Sequence, residues 1–179
     1  MMTKNYKSEC IKLQDDIKEA IISNRQYFFP FEVEAKWRNC CLKTYLVIDG
    51  IRYLLSEIVC ESAWQNPHPD FYSNIHVDTC RLFRNLGIAG LIMECYKDIA
   101  QKEDVRCIDL LVSPMMENGL CESESLKEKL ATLGTDLGII NEKRLNKHEL
   151  IAFYGKHGFF ECREIEDEVD CIRMVCYLD

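Results

Sequence analysis

Near the start of the chain the apolar residues Cys10, Leu13, Ile17, Ala20 and Ile21 recur at helical spacing within Ser8 to Ile22, with Lys and Asp between them. That period predicts an amphipathic helix. The aromatic stretch Tyr27, Phe28 and Phe29 then meets Pro30, which should stop regular structure, and the residues up to Asn39 show no clear period. From there the pattern turns β-like. Two runs, Cys41 to Ile48 and Ile51 to Cys60, flank Asp49-Gly50, a pair that readily takes the positive φ angles of a tight hairpin. The polar, proline-containing stretch from Glu61 to Asp70 reads as a loop, and Ile75 to Phe83 as extended.

At Gly87 the period changes again, because Ile88, Leu91, Ile92, Cys95, Ile99 and Ala100 mark one face of a long helix. Val105 to Val112 follows as a β-rich run with little polar interruption, the mark of a strand covered on both faces. Strand, helix, strand is the order of a parallel crossover unit. Ser113 to Leu145 is less regular, with a helix expected at Ser123 to Leu133 before Gly134 and Gly138. Asn146 and Glu149 have the spacing of a capping box that opens a short helix, and Gly158 is placed to end it. Phe159 to Glu164 and Val169 to Leu178 complete the chain as an antiparallel pair. The elements together predict an α/β fold with a mixed, mostly antiparallel sheet flanked by helices.

Composition narrows the setting. A chain of 179 residues, 47% hydrophobic, is long enough for one sizeable core and short for two, so residues 1–179 are read as a single domain. The formal net charge of -8 disfavours nucleic acid and anionic membrane as partners, since both reward a cationic face. Eleven cysteines are an odd number that cannot all pair within one molecule, which fits a reducing, cytoplasmic location. Met1 to Cys10 lacks the apolar core of a signal peptide. The cysteines and histidines are not grouped as a zinc site requires, so no metal is expected. Most of the thiols read as small buried hydrophobes.

The segment richest in chemical meaning is Arg84-Asn85-Leu86-Gly87-Ile88-Ala89-Gly90. It joins a strand to the start of the long helix, where main-chain N–H groups lack partners and the dipole is positive, so a pyrophosphate could be held there. Glycine at 87 and small residues at 89 and 90 would admit it, and Arg84 could add a charge-assisted contact. Glu57 on the second hairpin strand, with His76 and Asp78 on the strand entering the turn, are candidates for a general base. His148 and His157 read as surface residues of the short late helix.

Arg84, Gly87 and Ala89 resemble the phosphate-binding signature of the GNAT family of coenzyme-A-dependent N-acyltransferases. Ala152-Phe153-Tyr154-Gly155-Lys156-His157-Gly158-Phe159 is similar to that family's late helix, and the two motifs occur in the family's order. The resemblance spans the hairpin at Cys41 to the C-terminus. It implies acetyl-CoA or another acyl-CoA as cosubstrate, entering between two strands where the sheet splays near its middle. It also implies a small-molecule or peptide amine as acceptor and leaves a homodimer open. Tyr154 would protonate the departing thiolate, the backbone at Val77 and Thr79 would contact the pantetheine arm, and Asn146 would lie near the cofactor. Two departures stand out: Leu86 sits where a basic or small residue is common, and Ser113 to Leu145 exceeds the usual connection. They keep open a catalytically silent binding module on the same scaffold. A longer-chain acyltransferase resembling signal-molecule synthases is a further alternative.

Overall fold

A computed structural model describes residues 6–25, 29–61, 71–72, 75–112, 124–135, 145–162 and 171–178. Tyr27, Phe28, the expected loop after Glu61, Gly138 and the outer ends of the last two expected strands lie outside these residues, as does most of Ser113 to Leu145.

Helix α1 (Lys7–Arg25) buries Cys10, Leu13, Ile17 and Ile21, the stripe its spacing foretold. Strand β1 (Glu32–Arg38) occupies the stretch whose pattern carried no assignment. It pairs antiparallel with β2 (Cys41–Ile48) through a two-residue turn, Asn39-Cys40, in which both residues have positive φ, 50° and 58°. Cys40 therefore sits in the turn, and the Tyr96 hydroxyl donates to its carbonyl at 3.0 Å. The expected hairpin joins β2 to β3 (Ile51–Cys60), with Asp49 and Gly50 at φ 51° and 77°.

The next two strands take different partners. Strand β4 (Phe71–Tyr72) pairs parallel with β6 (Cys107–Val112). Strand β5 (Ile75–Thr79) pairs antiparallel with β3. Extended structure ends at Thr79 rather than Phe83, because Arg81–Phe83 forms a 3-10 turn. Helix α2 (Ile88–Lys102) leads to β6. Two four-stranded sheets result, ordered β1-β2-β3-β5 and β4-β6-β8-β7, the second completed by β7 (Phe160–Glu161) and β8 (Ile172–Tyr177). β5 and β6 approach each other without a shared ladder, so the splay expected near the middle of the sheet lies between them. The mixed, mostly antiparallel α/β arrangement is as expected.

One cluster of buried side chains runs from α1 through both sheets to α2. Of the longer connection, α3 (Glu124–Thr132) is described; it buries Leu126 and Leu130, and Lys129 reaches Asp49 at the hairpin tip at 2.6 Å. Helix α4 (Lys147–Lys156) follows, and Gly158, at φ 85°, ends it as its position foretold. Among the described residues no helix is long and apolar enough to cross a membrane.

Candidate functional site

The first sheet has two unlike faces. Leu42, Thr44, Leu46, Tyr53, Ser56 and Ile58 are buried on the side that α1 and α2 cover. On the other side, register aligns Lys43 with Glu57 and Glu57 with Asp78 across three strands. An antiparallel sheet commonly keeps one polar face in this way. The alignment depends on a bulge. Pairing counted outward from Asp49-Gly50 holds as far as Tyr45 opposite Leu54, then slips by one, so that Thr44 faces Ser56 and Lys43 faces Glu57. Without the extra residue Leu55, Glu57 would stand opposite Leu42 on the apolar side, since one step of register exchanges the faces.

Two carboxylates directly opposite each other repel, and here a cation serves each. Lys43 Nζ lies 2.7 Å from Glu57 Oε2, and Arg84 Nη2 lies 3.7 Å from Asp78 Oδ1. The bond to Glu57 holds the Lys43 ammonium above its ordinary range. Glu57 is buried beneath that lysine, whereas the Asp78 side chain keeps 26% of its surface, enough for a small molecule to reach it. The Asp78 carboxylate also accepts from the Thr79 N–H at 2.8 Å, and its main-chain carbonyl accepts from Ser56 Oγ at 2.7 Å. His76 is displaced from this group: it is exposed and bridges Glu61 at 2.9 Å. Val77 and Thr79 lie on the opposite side of β5 from His76 and Asp78, and Thr79 is buried.

The turn after β5 leads into α2 without a cap. Asn85 and Gly87 have φ 64° and 79°, Gly87 occupies the cap position with no side-chain hydrogen bond, and no acid lies in the first turn of the helix. A Cβ added at Gly87 would meet nothing within 4 Å. Such a terminus offers N–H groups and a positive dipole end to an anion. Ile88 is buried, Leu86 and Ala89 are half-buried, and the Gly90 N–H already donates to the Gly87 carbonyl at 3.0 Å. Gly90 also meets the late helix: a Cβ there would come 3.2 Å from the His157 ring. Arg84 turns back toward β5, donating from Nε to the Thr79 carbonyl at 3.2 Å, while its buried Nη1 has no partner.

Tyr154 brings the late helix to the same place. Buried between Phe153 and Phe159, its phenol is pushed up to about 12, chiefly by desolvation and further by the charge of Asp78. The hydroxyl therefore stays protonated at neutral pH. Asn146 is engaged otherwise: its side chain accepts from the Glu149 N–H at 3.0 Å and its own N–H donates to Glu149 at 2.8 Å, which closes the start of α4. His157 is not a surface residue, since its side chain is 16% exposed and pairs with Glu94.

Arg84 and Tyr154 thus both interact with Asp78 at the end of β5, with Glu57 one strand away. Lys43, Ser56, Glu94 and His157 are the partners that sequence reasoning missed. The register signal for Lys43 was spoiled by the bulge at Leu55, and the others depend on contacts between distant segments. A separate hollow of about 400 Å³, lined by Tyr6, Cys10, Ala35 and Trp37 among others, lies between α1 and β1. It sits at the opposite edge of the first sheet and holds none of these groups.

Neither a protein-family model nor a curated protein sequence matches the chain. Solved structures do. Two acetyltransferases of the GNAT family are among its structural neighbours. The one from Streptococcus pneumoniae is 13% identical, with a TM-score of 0.41 over 79% of this chain and 69% of its own. The one from Staphylococcus aureus MU50 is 10% identical, with a TM-score of 0.41 over 99% of this chain and 98% of its own.

Proposed function

We propose that the protein is an acyl-CoA-dependent N-acyltransferase that moves an acetyl group from acetyl-CoA to a primary amine by direct attack in a ternary complex. The observation that carries this reading is the uncapped start of α2 at Gly87, opening beside the gap between β5 and β6. The N–H groups of the first turn would hold the diphosphate, and the orphaned Arg84 Nη1 supplies one further donor close by. The pantetheine arm would run along the edge of β5 at Val77 and Thr79.

In the transfer, the neutral amine attacks the thioester carbonyl, the C–S bond breaks and the thiolate leaves. Asp78, the accessible carboxylate of the pair, takes the proton that the amine nitrogen must lose. Tyr154, neutral because burial and Asp78 hold its proton, gives one to the sulfur. Solvent then restores both groups. Glu57, covered by Lys43, shapes the field rather than exchanging protons. The acidic balance of the chain suits a cationic small-molecule or peptide amine, and the thiols suit a cytoplasmic setting.

A second reading, a silent CoA-binding module, draws on Arg84 lying against β5 instead of over the turn. Melting temperature measured with acetyl-CoA, longer acyl-CoAs and free CoA tests both, because a ligand at 100 times its dissociation constant stabilises by about 2.7 kcal/mol. Stabilisation together with thiol release in the presence of an amine panel supports the transferase. Stabilisation without release supports the silent module, and no shift with any ligand rejects both.

A further inference from the structure

Tyr154 keeps its place only if α4 is held at a fixed distance from α2, and one residue ties the two helices together. His157 caps the C-terminal end of α4, its N–H donating to the Tyr154 carbonyl at 2.9 Å. Nδ1 of its ring lies 2.5 Å from Glu94 Oε1 on α2. Its carbonyl accepts from Lys97 Nζ, one turn further along α2, at 2.8 Å. Glu94 and Lys97 are themselves paired at 3.2 Å, so two side chains close a clamp around one residue. The far edge of the ring rests over Gly90, where a Cβ would stand 3.2 Å from Cε1 and 3.3 Å from Nε2. Phe153 lies against the ring with centroids 4.7 Å apart. The only helical glycine of α2 is therefore the seat of this histidine, one turn before the glutamate that holds it.

We propose that His157 is a positioning residue that sets the Tyr154 hydroxyl against the turn at Gly87, through Glu94 and Lys97 on one side and the bare surface of Gly90 on the other. The catalytic consequence rests on the transferase reading; the positioning does not. Geometry of this kind matters because a displacement of about 1 Å at a reacting group can cost on the order of a hundredfold in rate.

The test uses the full chain with ring-labelled tyrosine, following the Tyr154 resonance near pH 10.5, close to where an ordinary phenol titrates at about 10. Wild type should remain a neutral phenol there. His157→Ala, and independently Gly90→Ala, which crowds the ring while keeping the histidine, should expose the phenol and ionise it over the same range. Glu94→Gln, which still accepts from the ring, should restore wild-type behaviour. In transfer assays both disruptive variants should lose about tenfold in kcat while KM and Kd for acetyl-CoA stay within about twofold. A Tyr154 that titrates as in wild type in both variants overturns the proposal, whatever the transfer assay gives. A shifted Tyr154 in a protein that neither binds nor consumes acyl-CoA upholds the positioning and rejects the transferase reading.

Discussion

Two helices in this molecule begin in opposite ways. α4 starts with Asn146 and Glu149 closed on each other's main-chain N–H groups, so its terminus is satisfied from within. α2 starts at Gly87 with no side-chain partner and no acid in its first turn. Every helix leaves N–H groups over at its start; a sequence can fill them or leave them to something else. The contrast separates a start closed by its own side chains from an open one within one chain, and in the closed one the Asn146 side-chain oxygen is taken by the Glu149 N–H.

The largest effect should come from closing the open start. Gly87→Glu places a carboxylate where the diphosphate would lie and forces a side chain onto φ 79°, although the space for it exists. Calorimetry should find acetyl-CoA affinity reduced by about a hundredfold or more, and retained affinity would put the phosphate site elsewhere. Next is Tyr154→Phe on the helix with the closed start, expected to lower kcat by about a hundredfold with Kd for acetyl-CoA unchanged; an unaltered rate would take the phenol out of the reaction.

A smaller change follows from Asp78→Asn. Removing that charge should lower the Tyr154 titration from about 12 while burial keeps it above the ordinary value, as read by tyrosine NMR. The native state holds this proton more tightly than the unfolded chain. The stability tied to it is therefore complete below pH 10 and lost as pH climbs toward 12. In alkaline melts, Tyr154→Phe should flatten that loss. The smallest effect belongs to Asn146→Ala, which should cost about 1 kcal/mol of stability in denaturant melts and leave acetyl-CoA affinity as it was. A large loss of affinity instead would place Asn146 at the cofactor.

What could be read in advance was local. Asp49-Gly50 announced its hairpin because both residues tolerate positive φ, whereas Asn39-Cys40 makes the same turn with a cysteine that carries no such signal, and β1 went unassigned with it. Its geometry is secured instead by Tyr96, a residue 56 positions away. The α2 stripe and the α4 capping box were legible because both lie within a few turns of chain. That Gly90 seats the His157 ring, and that His157 is no surface residue, escaped the sequence because their meeting joins two helices whose spacing no local pattern records. Glu57 and Asp78 were chosen for their strands; that Glu57 lies under a lysine follows from the bulge at Leu55, which period alone does not announce.

The parting of β5 from β6 has a consequence for solubility. An unladdered strand edge ordinarily invites a neighbouring molecule to add to it. Here the edge of β5 turns toward β6 inside the same protein, so the hydrogen-bonding groups along it are shielded from the sticky company of other chains.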